Sequence, residues 1–171
     1  MKSMEDKGLE YALYLLSLQM RSENGLVEKL LSKGYEPHVV EAIIERLKEA
    51  GVVDDVAFAS AYIRGRRSKY GDYRIKMELV RKGIDAKTIE TAYFGLEEEE
   101  DLHDPYQMAK AVLEKKIAAT TIEWDRLNTD YKYKMSVYQK LTSFLAGRGF
   151  SSGVVKQVIS ERLRQEFLDE F

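Results

Sequence analysis

Cysteine is absent from the 171 residues, which excludes a disulfide framework and any thiolate metal site and suits a reducing, cytoplasmic setting. Proline occurs only as Pro37 and Pro105, and histidine only as His38 and His103. No apolar run is long enough to cross a bilayer, and no signal-peptide pattern opens the chain. An excess of one charge is also missing: 27 basic residues stand against 29 acidic ones, for a formal net charge of -2. That balance argues against coating nucleic acid through bulk charge, while leaving room for a local basic face. Sustained period-two alternation, the mark of half-buried strands, is not found either.

What is present is helix-forming. Alanine, leucine, glutamate, lysine and arginine fill the stretches between the prolines, and each proline sits where a helix can begin. Apolar residues recur at intervals of three and four. A hydrophobic fraction of 44% beside a charged fraction of 33% belongs to a globular chain rather than a disordered one. The length suffices to bury a core if the pieces pack together.

The chain repeats itself. Residues 30–40, 79–89 and 145–155 align without gaps. Each has a leucine, then a basic residue, a glycine and a large apolar residue: Leu30, Lys33, Gly34, Tyr35; Leu79, Lys82, Gly83, Ile84; Leu145, Arg148, Gly149, Phe150. Leu26, Ile75 and Leu141 precede these blocks by one helical turn. The pattern predicts helix, stop, helix. The glycines take the left-handed C-cap position, the cations lie in the last turn, and the next helix starts near Glu36 and Pro37, Asp85 or Ser151. Gly34 and Gly83 are 49 residues apart (83 − 34), whereas Gly83 and Gly149 are 66 apart (149 − 83). The third unit therefore carries an insertion of 17 (66 − 49).

These signals predict nine helices, at 5–20, 22–33, 36–50, 54–70, 72–82, 86–96, 105–134, 136–147 and 151–168. The insertion is expected mostly to lengthen the helix at 105–134, with a weak point at Ala119, Thr120, Thr121 and Ile122, where β-branching lowers propensity. The expected fold is all-α: an elongated, curved array of three tandem, helix-turn-helix-like repeats at 1–52, 53–97 and 98–171, the last with an extended first helix. The acidic run from Glu97 to Asp101 reads as a hinge between the second and third units or as a solvated helix end.

Catalytic chemistry finds little purchase. His38 and His103 fall at a helix start and in the acidic connection, and Asp54 with Asp55 reads as an N-cap and first-turn acid rather than a cation site. No phosphate-binding glycine loop, nucleophile elbow or zinc spacing occurs, so no catalytic residue, metal or cofactor is expected. The most unusual segment is basic. Arg64, Arg66, Arg67, Lys69, Arg74, Lys76, Arg81 and Lys82 face only Asp72 and Glu78, with Tyr70 and Tyr73 interleaved. Such a patch suits phosphates or an acidic protein surface, or it is simply a solvated outer face. A weaker group, Lys132, Lys134, Lys140, Arg148 and Lys156, reads first as a solvated face, with Tyr131 and Tyr133 as candidates for exposure. Tyr11, Tyr14, Phe58, Tyr62, Tyr93, Tyr106, Trp124 and Tyr138 read mostly as packing residues.

In order and spacing, the first two units resemble a known family, the bacterial RecX regulators of the recombinase RecA. The matching residues run from Ala12 to Arg21, Ser22 and Glu23, through Leu30, Lys33 and Gly34, to Val40, Ile43 and Leu47. They continue with Gly51, Asp54, Asp55, Phe58, Ala59 and Tyr62, then Gly71, Arg74, Ile75, Glu78, Leu79, Lys82, Gly83 and Ile84. The resemblance covers about residues 8 to 96, and the region 105–168 matches in general shape.

It implies tandem three-helix modules, no catalytic residues, and a partner: the RecA filament on single-stranded DNA, whose growth is blocked or whose disassembly is promoted. It also implies weak direct binding to DNA and contacts through the basic segment; Tyr131, Lys132, Lys134 and Arg148 stand as secondary contact candidates on their own residue types. A monomer working in the cytoplasm without a membrane partner fits this picture. Alternatives are a helical regulator that binds DNA directly and a non-enzymatic adaptor for another protein.

Overall fold

The structure is a computed structural model describing residues 3–98 and 104–165, and among these residues there are ten helices and no strands. They are α1 (Met4–Leu18), α2 (Glu23–Ser32), α3 (Pro37–Glu49), α4 (Asp55–Arg67), α5 (Asp72–Arg81), α6 (Ala86–Glu98), α7 (Pro105–Ala118), α8 (Trp124–Thr129), α9 (Tyr131–Gly147) and α10 (Ser152–Gln165). Three-helix units follow as α1–α3, α4–α6, and α7, α9 and α10, with α8 inserted. Pro37 and Pro105 each occupy the first turn of a helix, where a missing amide costs nothing.

The third unit departs from the expected single helix at 105–134. Helix α7 ends at Ala118, and the chain leaves helical geometry through Thr120, Thr121 and Ile122. A new start is available at Asp130, whose carboxylate accepts the Tyr133 amide at 3.0 Å and caps α9. The insertion is therefore divided among a loop, the short α8 and an early start to α9. Glu97 and Glu98 close α6, while residues 99–101 of the acidic run, His103, and the expected last turn of the final helix lie outside the described residues.

The three glycine stops have the conformation their sequence demands. Gly34, Gly83 and Gly149 have φ of 96°, 80° and 86°. In each, the glycine amide donates three residues back and the following amide donates five back. The pairs are Gly34 to Leu31 and Tyr35 to Leu30, Gly83 to Val80 and Ile84 to Leu79, and Gly149 to Ala146 and Phe150 to Leu145, at 2.9 to 3.3 Å. This is the Schellman arrangement, in which two orphan carbonyls are satisfied while the apolar residue after glycine folds onto the leucine five back. A fourth such stop occurs at Gly51, φ 66°, where the Val52 amide reaches the Leu47 carbonyl at 2.8 Å.

Compactness divides the chain into two units: Met1–Ile63 with Met77–Glu100, and Arg64–Lys76 with Asp101–Phe171. In the first, α1, α2 and α3 bury Ala12, Leu26, Leu30 and Ile43 completely, with Val40, Ile44 and Leu47 beside them. Gly8 lets α1 approach α3, since a Cβ there would stand 2.5 Å from the Ile43 Cδ1. In the second, α10 packs on α7 and α9 around Leu113, Leu145 and Ile159, with Leu141, Phe150 and Val155 completing the core. Each large side chain so buried contributes roughly 1.5–3 kcal/mol of transfer free energy.

Candidate functional site

The basic segment is divided between the two units. Arg64, Arg66, Arg67, Lys69, Arg74 and Lys76 belong to the second, whereas Arg81 and Lys82 belong to the first.

In the second unit the organising residue is Tyr70, an interleaved aromatic not counted among the contact candidates. The guanidinium carbons of Arg74, Arg66 and Arg148 lie 4.2, 4.9 and 5.6 Å from its ring centroid. Three cations gather there because the ring face is electronegative and because backbone carbonyls anchor two of them. Arg74 Nη1 donates to the Gly147 carbonyl at 3.1 Å, and Arg148 Nη1 donates to the Lys69 carbonyl at 3.1 Å. Arg148 also lies 4.6 Å from the Phe144 ring centroid. The Gly71 amide donates to the Arg148 carbonyl at 2.8 Å, which brings the start of α5 against the stop after α9.

This geometry sorts the candidates by accessibility. Arg67 is only 7% exposed, and Arg66, Arg74 and Arg148 are half-buried. Arg64, Lys69 and Lys76 are exposed. Of the secondary group, Tyr131 is 75% exposed and Lys132 is exposed, while Lys134 and Tyr133 are half-buried. The Tyr133 hydroxyl accepts the Glu123 amide at 3.0 Å, so this ring, expected at the surface, holds the loop before α8. Tyr14, expected among packing residues, is 57% exposed.

In the first unit a quasi-equivalent joint forms. Ser22 and Gly71 stand 49 residues apart (71 − 22), in the register that relates Gly34 to Gly83. The Ser22 hydroxyl accepts the Gly25 amide at 3.1 Å as the N-cap of α2 and donates to the Lys82 carbonyl at 3.0 Å. Asp54 and Asp55 divide two capping tasks. Asp54 accepts the amides of Val56 and Ala57 at the start of α4, at 2.8 and 3.0 Å. Asp55 instead accepts the Glu23 amide at 2.7 Å, on a different helix. Burial of its carboxyl pushes the Asp55 pKa above the usual aspartate value, against the lowering effect of that bond.

Beside this joint lies a cavity of about 470 Å³ lined by Arg21, Arg81, Lys82, Glu28 and Tyr62, among others. Lys82 Nζ stands 5.3 Å from the Tyr62 ring centroid, and the Tyr62 hydroxyl donates to Glu78 at 2.8 Å. Arg21 was not among the sequence candidates. The repeat register could have singled it out, since it falls 49 residues before Tyr70 (70 − 21). Among the described residues no group of three or more histidines or carboxylates could hold a metal, and no helix is long and apolar enough to cross a membrane. His38 is exposed at the start of α3.

Tandem three-helix units, in each of which the middle helix ends on a basic residue and a left-handed glycine, define a helical repeat protein of the helix-turn-helix kind. Comparison with known proteins makes the assignment specific. Residues 9–47 match the RecX first three-helix domain, and residues 54–92 match the RecX second three-helix domain. The chain belongs to the RecX family of regulatory proteins.

It is 31% identical over 172 residues to the regulatory protein RecX of Halalkalibacterium halodurans, covering 96% of this chain and 58% of that one. It is 29% identical over 166 residues to the regulatory protein RecX of Mycobacterium ulcerans, covering 96% and 89%. This chain thus spans little more than half of the first relative and most of the second. A crystal structure of regulatory protein RecX superposes with a TM-score of 0.70 at 26% identity, over 91% of this chain and 73% of that one. The crystal structure of RecX from Lactobacillus salivarius shares the fold, with a TM-score of 0.72 at 24% identity over 94% and 97%.

Proposed function

We propose that this chain restrains the recombinase RecA by binding its filament on single-stranded DNA, blocking filament growth or promoting disassembly. The observation that carries this reading is similarity along nearly the whole chain to proteins named regulatory protein RecX. The chain acts as a cytoplasmic monomer, without cofactor or catalytic step, through contacts made by modules at 1–52, 53–97 and 98–171. Several moderate contacts on one chain raise the effective concentration of each for the others, so avidity replaces a single large interface.

The exposed cations support a partner rich in phosphate or carboxylate. Arg64, Lys69, Lys76, Arg81 and Lys82 are the contact residues in this reading, with Tyr131 and Lys132 secondary. Arg67, Arg74 and Arg148 are spent within the fold, so replacing them would test folding as much as binding.

The test is the single-stranded-DNA-dependent ATPase of the cognate recombinase, titrated with this protein at fixed salt. Suppression at amounts well below those that cover the free DNA is the expected result, and no effect from a folded protein defeats the reading. A Lys69→Glu, Lys76→Glu, Arg81→Glu variant should keep its helix content and lose the suppression. Full suppression by that variant removes this patch from the mechanism.

A further inference from the structure

The two quasi-equivalent joints differ in what precedes the docking residue. In the second unit, Tyr70 precedes the docking residue Gly71 and presents its ring to Arg148. In the first unit the same register places Arg21 before Ser22, and Lys82 where Arg148 stands, 66 residues earlier (148 − 82). A guanidinium thereby stands where the second unit has a ring, and Lys82 takes a different ring partner, with its Nζ 5.3 Å from the Tyr62 centroid.

Arg21, Arg81 and Lys82 line one cavity of about 470 Å³, and among the described residues none of the three forms an ion pair. Elsewhere the chain does pair its cations, as in Arg46 with Glu5 at 2.6 Å and Lys48 with Glu23 at 2.8 Å. The carboxylate in the lining, Glu28, accepts a bond from Asn24 Nδ2 at 3.0 Å. Arg21 Nε is buried with no hydrogen-bond acceptor, although an N–H of a guanidinium removed from water is costly to leave unpaired. The Glu23 and Gly25 amides at the start of α2 are already engaged by Asp55 and Ser22, and the site rests on side chains.

We infer that this cleft binds a phosphate group, with Arg21 and Arg81 supplying guanidinium donors and Lys82 a point charge. Two guanidinium forks and a point charge around one cavity match the several acceptor oxygens of a phosphate better than the two of a carboxylate. A cavity in which three cations outnumber one carboxylate, Glu28, also concentrates such anions. Phosphates of a nucleic-acid backbone and of a free polyphosphate share this chemistry. Because Arg81 and Lys82 are also contacts in the regulatory reading, the inference deepens it and adds Arg21, which was not among the contact candidates.

The experiment uses the whole protein without recombinase. Arginine side-chain Nε–H resonances are followed by NMR while inorganic tripolyphosphate, and separately an oligothymidylate, is titrated at low salt. The expected result is a saturable shift of the Arg21 Nε–H. Movement with the oligothymidylate alone assigns the site to a nucleic-acid backbone, movement with tripolyphosphate alone to a free polyphosphate, and movement with both to either source. An unmoved Arg21 resonance under both probes overturns the inference.

An Arg21→Gln, Arg81→Gln variant should bind the active probe roughly tenfold more weakly. For the oligothymidylate, its salt slope should fall by about 0.7 per lost phosphate contact. A Lys115→Gln control, exposed in the other unit, should bind like the parent. Parental binding by the double variant also overturns the inference, provided its helix content is intact. Recombinase suppression that survives in the double variant separates the cleft from regulation. A shifted Arg21 in a protein without effect on the recombinase defeats the regulatory reading and leaves the cleft standing.

Discussion

The Gly71 amide donates to the Arg148 carbonyl at 2.8 Å, and a Cβ on Gly71 would stand 2.4 Å from the carbonyl oxygen of Gly149. Backbone meets backbone here, with no room for a side chain. The same relation recurs in the first unit, where Ser22 donates to the Lys82 carbonyl and a Cβ on Gly83 would stand 2.6 Å from Asn24 Cβ. The basic residue and glycine that end one helix thus also receive the start of a helix from the preceding module.

Gly34 and Gly149 should therefore differ in their tolerance of alanine. Both hold a positive φ, but a Cβ on Gly34 meets nothing within 4 Å, whereas one on Gly149 lies 2.5 Å from the Arg74 backbone nitrogen. Gly34→Ala should cost about 1–2 kcal/mol, the left-handed penalty alone. Gly149→Ala should cost clearly more, because backbone must move. Urea unfolding of both variants compares them directly, and equal midpoints would contradict the docking role of the second glycine.

Tyr70→Leu removes the ring that Arg66, Arg74 and Arg148 share. A loss of about 1–2 kcal/mol is expected from the cation–π contacts, with Tyr70→Phe retaining most of the stability. Thermal melts of the pair, at low and high salt, separate the ring's electrostatic part from its packing.

Asp55→Asn should raise the unfolding midpoint at pH 7. The folded protein holds the Asp55 proton more tightly than the unfolded chain, because burial disfavours the carboxylate. Its ionisation therefore lowers stability as pH rises through the folded value, and asparagine removes that loss while keeping an acceptor for the Glu23 amide. The advantage should shrink as the pH approaches about 4, where aspartate in the unfolded chain also protonates.

Acid should destabilise the protein through three other carboxylates. Asp85 is held below its usual pKa by the Thr88 hydroxyl and amide, Asp130 by the Tyr133 amide and Arg126, and Glu161 by the Tyr106 hydroxyl and Gln157. A depressed folded pKa gives stability that is present above the unfolded value and lost as pH falls through the folded one. Melting temperature should decline below about pH 4. Asp85→Ala should melt below the parent at pH 7 and approach it in strong acid, which scanning calorimetry across pH can follow.

Much of this was legible beforehand. The stops at Gly34, Gly83 and Gly149 were readable because a positive φ and an apolar residue folding back leave a local signature of few residue types. The starts at Pro37, Asp85 and Pro105 were readable for the same reason. The division of the insertion in the third unit was only half visible. Thr120, Thr121 and Ile122 warned of a break, but a restart at Asp130 depended on a carboxylate competing for one particular amide.

The sequence by itself determined that this protein is all helical, that it repeats a three-helix unit, that helices stop at Gly34, Gly83 and Gly149, and that its cations crowd into residues 64–82. Those features follow from local propensity, capping and periodicity, which act over a few residues. Only the tertiary structure decided which cations are used within the fold and which remain outside. Tyr70 collects Arg66, Arg74 and Arg148, Arg67 is buried, and Arg21 joins Arg81 and Lys82 around a cavity. The reason is that a guanidinium's environment is set by rings and carbonyls distant in sequence, and their positions depend on how whole helices pack.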